Sequence, residues 1–142
     1  FGCKVYGADI VPVENENFIK VFSISELDTS LKSADVVVLT LPLTKETKGL
    51  FNKSKFDLLK DGALLVNISR GAVVNTTDLV EALNKNLGGA VLDVFETEPL
   101  EENSPLWDME NVIITPHNSF VGEGNKKRLF DVVVSNIKKL KG

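Results

Sequence analysis

The chain has little of several residue types that build common kinds of site. Among 142 residues there is one cysteine, Cys3, which excludes a disulfide framework and a metal site made of several thiolates. We expect Cys3 to be a small apolar residue of a reduced, cytoplasmic protein. No apolar run approaches the roughly 20 residues of a membrane-spanning helix, so we expect neither a membrane segment nor a signal peptide.

An excess of positive charge is also lacking. Sixteen Lys and Arg against 20 Asp and Glu give a formal net charge of −4, which gives no case for binding nucleic acid or an anionic membrane. The basic residues gather near the C-terminus, a pattern typical of the solvated face of a helix. An apolar content of 43% and a charged content of 25% are those of one globular domain with a real core.

Short apolar runs alternate with amphipathic stretches along the whole chain. The runs predict strands at 4–8, 18–22, 36–39, 63–68, 90–94 and 112–115. Helices are predicted after Ser23, over 53–60, from Asn75, and from about 124 to 141. This alternation favours a parallel sheet with helical crossovers, the doubly wound α/β class. The β-branched run Val36–Leu39 predicts a strand buried on both faces, and Trp107 is expected to be a packing anchor.

Titratable side chains lie at the ends of two predicted strands. Asp93, Glu96 and Glu98 follow the apolar part of the fifth run, and His117, the only histidine, follows the sixth. In open α/β sheets ligands bind beyond the carboxyl ends of the strands. A carboxylate and an imidazole placed there can form an acid/base pair. Spacing alone also fits two loops with ordinary surface polar residues.

Two further residues at strand ends each have two possible interpretations, one functional and one structural. Asp9 ends the first run, where an acid can accept hydrogen bonds from an adenosine ribose and repel a 2′-phosphate. The alternative is a turn residue. Arg70, one of two arginines, stands beside Gly71. Its planar fork can hold a carboxylate through two hydrogen bonds, or it can form a surface ion pair.

Three segments together resemble one protein family. Ser69-Arg70-Gly71, the run Asp-Val-Phe-Glu-Thr-Glu-Pro at 93–99 and Thr115-Pro116-His117 resemble the signature segments of the D-isomer-specific 2-hydroxyacid dehydrogenases. Segments 41–50 and 104–109 resemble that family's loops after the fourth strand and before the last. The resemblance covers nearly the whole chain, in the right order and spacing.

The resemblance implies a Rossmann-like fold and hydride transfer between the nicotinamide of NAD and C2 of a D-2-hydroxy acid or 2-oxo acid. Arg70 would hold the substrate, His117 would be the general acid/base, and Glu98 would orient His117, leaving Glu96 as an exposed neighbour. The cofactor-side residues implied are Asp9 at the ribose, Thr40 and Pro42 on the adenosine side, Ser69, and Asp93 near the carboxamide. Asp9 implies NAD rather than NADP. A cytoplasmic homodimer without a metal is expected.

The sequence departs from the family in two places. Asn118-Ser119-Phe120 stands after His117, where the family often has small or apolar residues and glycine. No Gly-x-Gly-x-x-Gly occurs, because Lys127 holds the third position after Gly122 and Gly124. The resemblance therefore implies that 1–142 is part of an NAD-binding domain without its first strand, its Gly-rich turn or the substrate domain. Phe1-Gly2 would end the helix that follows that turn.

The missing strand would lie between the runs at 4–8 and 36–39. We expect the sheet to close by a shifted strand, by a strand from a partner, or by a segment outside this sequence. Without the Gly-rich turn, the chain alone should bind NADH poorly and be inactive. The alternative from another class is a non-catalytic truncated Rossmann fragment that dimerises or binds nucleotide weakly.

Overall fold

The computed structural model describes residues 2–140, along which strands and helices alternate as the sequence predicts. The strands are β1 (Tyr6–Asp9), β2 (Lys20–Ser23), β3 (Val36–Leu39), β4 (Leu64–Asn67), β5 (Gly89–Leu92) and β6 (Val112–Ile114). The helices are α1 (Leu27–Leu31), α2 (Lys53–Phe56), α3 (Thr76–Lys85) and α4 (Asn125–Leu140). Phe1 and Lys141, each included in a predicted helix, lie outside the described residues.

The strands pair in parallel and form two sheets. One sheet holds β1 and β2, and the other has the order β3-β4-β5-β6. The α/β class with a Rossmann-like parallel sheet is confirmed. Within residues 2–140, β1 and β3 are not hydrogen-bonded to each other, so no strand of this part of the chain shifts between them. Closure by a partner strand or another segment stays a prediction.

Side-chain hydrogen bonds cap the 3₁₀ turn Ile24–Glu26, which leads into α1, and the start of α3. At the turn, the Glu26 carboxylate accepts from the Ser23 N–H at 3.1 Å and from its hydroxyl at 3.0 Å. At α3, the Asn75 side-chain oxygen accepts from the Asp78 N–H at 3.0 Å. Helix α2 is shorter than predicted. It ends at Phe56 because the N–H groups of Leu58 and Leu59 bond three residues back, as in a tighter turn.

The core lies on one face of the four-stranded sheet, against α2 and α3. Leu65 at the centre of β4 is fully buried, and Phe51 and Phe56 meet edge to face with ring centroids 6.1 Å apart. The buried stripe of α3 consists of Leu79, Ala82 and Leu83.

Three burial predictions are wrong. Val36 and Val38 are 51% and 53% exposed, because β3 alternates between a covered and an uncovered face in the described chain. Trp107 is 52% exposed; its indole N–H donates to the Glu101 carbonyl at 3.0 Å, and its neighbour Leu106 is the buried anchor. Cys3 is exposed rather than packed as an apolar residue.

Helix α4 has no buried residue, although the sequence predicts one apolar face. The predicted face consists of Leu129, Val133, Ile137 and Leu140, all of them exposed. Among the described helices, none combines the length and the apolar character required to cross a membrane.

The two faces of β4 give a matched test of the core. In the 142-residue chain, Leu65→Ala should lower the free energy of unfolding by about 2–5 kcal/mol, because it opens a cavity in a fully buried position. Leu64→Ala, next to it on the uncovered face, should change it by less than about 1 kcal/mol. Urea unfolding of both variants measures the difference, and equal losses would contradict this division of the faces.

Candidate active site

Three neighbouring strands place the candidate residues at one edge of the sheet. Strands β4, β5 and β6 run in parallel and in this order, so the loops after them leave the same edge. Arg70 lies in the first of these loops, Asp93 directly follows β5, and His117 follows β6. The structure therefore brings the three loops together, as expected from the sequence.

A buried asparagine shapes the loop that carries Arg70. Asn67, 1% exposed at the end of β4, accepts from the Ser69 N–H at 3.1 Å and from the Ser69 hydroxyl at 2.7 Å. Its amide nitrogen donates to the Arg70 carbonyl at 3.2 Å. Asn67 is not among the residues predicted from the sequence, although an asparagine at an inward-facing position of an apolar strand is a signal for such a role.

Four predicted residues line one open groove of about 440 Å³. They are Thr40 and Pro42 after β3, and Ser69 and Arg70 after β4. Asp9 is not among the lining residues. It ends β1 in the other sheet, exposed, and its carboxylate accepts from the Val11 N–H at 2.9 Å. This local bond is that of a turn residue, and it leaves the other carboxylate oxygen for a ribose.

Glu98 and His117 form a hydrogen-bonded pair. Glu98 Oε2 lies 2.8 Å from His117 Nδ1, and Glu98 Oε1 accepts from the Phe95 N–H at 3.0 Å. The bond with His117, and then that with Phe95, hold the pKa of Glu98 below its ordinary value. An ionised carboxylate only accepts, so the neutral imidazole carries its proton on Nδ1. Nε2 is then left to exchange a proton with a bound substrate.

Asp93 holds the loop around His117 on both sides. Its Oδ1 accepts from the Thr115 hydroxyl at 2.5 Å and from the Asn118 N–H at 2.9 Å, and its Oδ2 accepts from the Ser119 N–H at 2.9 Å. Asp93 is 1% exposed. Burial acts to raise its pKa, but these bonds outweigh burial and keep the pKa well below the ordinary value. The contact between Asp93 and Thr115 was not predicted from the sequence.

His117 has a left-handed backbone conformation, with φ of 50°. Such a φ is uncommon for residues other than glycine, and it persists when the surroundings enforce it. Here the bonds from Asp93 to Asn118 and Ser119 fix the chain directly after His117. The imidazole is thereby directed to Glu98.

Comparison with known proteins decides the family. A family model described as the NAD-binding domain of D-isomer-specific 2-hydroxyacid dehydrogenases matches residues 1–119. The chain belongs to this family. The resemblance noted in the sequence is confirmed, and the family consists of NAD(P)-dependent oxidoreductases that act on small 2-hydroxy and 2-oxo acids.

Relatives of this dehydrogenase family match along most of the chain. A hydroxypyruvate reductase from Blautia hydrogenotrophica is 43% identical over 146 residues, covering 99% of this chain and 44% of that protein. A probable 2-hydroxyacid dehydrogenase from Rhizobium etli, in complex with NADP, superposes with a TM-score of 0.85 at 41% identity, over 99% of this chain and 45% of that chain.

A third relative has a similar fold at lower identity. It is the NADPH-dependent glyoxylate/hydroxypyruvate reductase from Sinorhizobium meliloti, in complex with NADP and sulfate, with a TM-score of 0.86 and 35% identity. The superposition covers 99% of this chain and 45% of that chain. The chain thus spans less than half the length of each of these three relatives.

Acid should weaken the fold through Asp93. Folding lowers the pKa of Asp93 from its ordinary 3.8. Ionised Asp93 therefore contributes fully to the free energy of unfolding above pH 3.8, and this contribution is lost as the pH falls towards the pKa of the folded chain. Between about pH 5 and about pH 2, the free energy of unfolding should therefore fall less steeply in Asp93→Asn than in the wild type. Asp61→Asn, in an exposed turn, is the control. Parallel slopes for all three proteins would contradict the prediction.

Proposed function

We propose that the chain is the C-terminal part of the cofactor domain of an NAD-dependent oxidoreductase that interconverts a D-2-hydroxy acid and its 2-oxo acid. The observation that carries the proposal is the 2.8 Å bond between Glu98 and His117 at the carboxyl edge of the sheet. A carboxylate that holds one nitrogen of a partly exposed imidazole is the arrangement of a general acid/base. The reductase activities named for the relatives support this substrate class.

Each residue of the pair has a role in this reaction. On oxidation, Nε2 of His117 takes the proton of the substrate hydroxyl, and on reduction it returns that proton. Glu98 keeps the imidazole in the required tautomer and orientation. The nicotinamide, when bound, accepts or supplies the hydride.

Arg70 is proposed to hold the substrate carboxylate. Its side chain is exposed at the groove, and the Asn67 and Ser69 bonds fix the backbone that presents it. In the structure its Nη1 donates to the Ser69 carbonyl at 2.6 Å, which leaves further N–H donors for a planar carboxylate.

The groove after β3 and β4, together with Asp9 after β1, is proposed to hold a dinucleotide. The groove with Thr40, Pro42 and Ser69 is proposed to take the adenosine side, and Asp9 the ribose hydroxyls. Asp93 is proposed to lie near the carboxamide, where Oδ2, with one donor, retains accepting capacity. Two relatives are in complex with NADP, so the preference for NAD rests on Asp9 alone.

The second candidate function is a non-catalytic Rossmann fragment that dimerises or binds nucleotide weakly. The separation of β1–β2 from β3–β6 favours it, because the edges of β1 and β3 present backbone groups that can pair with another chain.

We also propose that the complete enzyme is a cytoplasmic homodimer, and that the 142-residue chain alone binds NADH poorly and is inactive. Isothermal titration with NADH tests the last point, and micromolar binding would refute it.

In a complete enzyme containing this chain, His117→Asn should reduce kcat by about 10²–10⁴-fold. The dissociation constant for NADH should stay within a few-fold of the wild type, since the imidazole need not hold the dinucleotide. Steady-state rates and fluorescence titration separate the two quantities. If the variant turns over within a few-fold of the wild-type rate, His117 is not the acid/base.

Coenzyme choice gives an independent test through Asp9. We expect kcat/KM with NADH to exceed that with NADPH by more than about tenfold, or 1.4 kcal/mol, because the carboxylate repels a 2′-phosphate. No arginine lies near Asp9 in the sequence to offset this charge. Asp9→Asn should lower the ratio of kcat/KM with NADH to kcat/KM with NADPH. Equal efficiency of the two coenzymes in the wild type would exclude the NAD preference.

A further inference from the structure

The backbone of Phe95 is contacted from two sides of the candidate site. Its N–H donates to Glu98 Oε1 at 3.0 Å, and Glu98 in turn holds His117. On the other side lies Gly71, the residue directly after Arg70. A Cβ on Gly71 would lie 1.8 Å from the carbonyl carbon of Phe95 and 1.9 Å from its oxygen. Only glycine permits this approach of two backbones.

Glu96 attaches the same loop to the start of α3. Its Oε2 accepts from the Thr76 N–H at 2.8 Å, and Thr76 is the first residue of the helix. The segment that joins Gly71 to Thr76 is anchored to the core, because Val73 is fully buried and the Asn75 N–H donates to the Phe51 carbonyl at 2.8 Å. Glu96 is exposed, as expected, but it has a definite partner.

Two independent contacts therefore connect the loop before Glu98 to the loop after Arg70. One is the backbone contact between Gly71 and Phe95, and the other is the bond between Glu96 and Thr76. We infer that Gly71 and Glu96 are positioning residues, which set the placement of the Glu98–His117 pair relative to Arg70. The catalytic roles of Arg70, Glu98 and His117 rest on the proposed function. The contacts of Gly71 and Glu96 are independent of it.

The competing explanation is that both residues only stabilise the fold. Gly88 provides a matched control, because a Cβ there would lie 2.4 Å from the Gly62 carbonyl oxygen, again a forbidden backbone contact. Gly88 stands directly before β5, at the opposite end of that strand from Asp93. Gly88→Ala should therefore strain the fold without displacing the loop at Phe95.

The first measurement does not require activity. His117 is the only histidine, so the nitrogen NMR signals of its imidazole in the 142-residue chain are unambiguous. In the wild type the neutral ring should be the Nδ1–H tautomer, since Glu98 accepts there. Gly71→Ala and Glu96→Ala should convert it to a mixture of tautomers. Glu96→Gln, which keeps an accepting oxygen, and Gly88→Ala should retain the wild-type signals.

The second measurement is made in a complete enzyme containing this chain. Gly71→Ala should lower kcat/KM for a 2-oxo acid by about 10²-fold, the loss expected for a displacement of about 1 Å, with a raised KM because Arg70 moves. Glu96→Ala should lower kcat more than it raises KM, and Glu96→Gln should restore most of kcat.

The outcomes separate this inference from the proposed function. An inactive wild type with the predicted tautomer shifts would refute the dehydrogenase proposal and support the positioning role. Wild-type imidazole signals in a folded Gly71→Ala or Glu96→Ala chain would overturn the positioning role, whatever the activity. Equal tautomer shifts in Gly88→Ala would overturn it as well. If Gly71→Ala does not fold, the comparison of Glu96→Ala with Glu96→Gln decides.

Discussion

The carboxylate of Asp93 is the group on which the geometry of the site depends. It is buried, and a charge out of water is tolerated only when donors surround it. The donors come from Thr115, Asn118 and Ser119, on both sides of His117. The requirement to satisfy this charge therefore shapes the whole loop after β6. Loss of one donor would leave a buried carboxylate oxygen without its hydrogen bond, which destabilises the folded chain. The conformation of the loop and the charge of Asp93 therefore depend on each other.

A second constraint acts between the loops after β4 and β5. The sheet brings them to one edge, but hydrogen bonds between strands do not fix how far apart two loops lie beyond that edge. The contact of Gly71 with Phe95 and the bond of Glu96 to Thr76 do so. Strand order thus brings the candidate site residues close together, and these local contacts set their placement.

Much of this fold could be predicted from the sequence. Each strand lies within its predicted run or extends it by one residue, because short apolar runs bounded by glycine or polar residues are a local signal. The Glu98–His117 pair followed from the resemblance, since both residues lie in motifs of fixed spacing. The roles of Asn67 and Thr115 did not follow. Their bonds join residues of different loops or depend on a buried side chain, and neither property has a periodic pattern.

Burial was the least predictable property. Val36 and Val38 have the composition of a strand covered on both sides, yet exposure depends on what packs against the sheet, which a run of valines does not encode. Trp107 likewise shows that the type of a residue does not determine its burial. Its size predicted an anchor, whereas the turn at Pro105–Asp108 directs Leu106 inwards and leaves the indole to bond with the backbone.

The left-handed backbone at His117 restricts which residues evolution can place there. Histidine, asparagine and aspartate adopt this conformation several times more often than other residues that carry a side chain. Among the groups that exchange protons near neutral pH, histidine is therefore favoured by the backbone as well as by its chemistry. A lysine or a glutamate would meet strain at this position before its chemistry was tested. A loop that keeps the Asp93 contacts therefore favours an imidazole as the group that exchanges protons at this position.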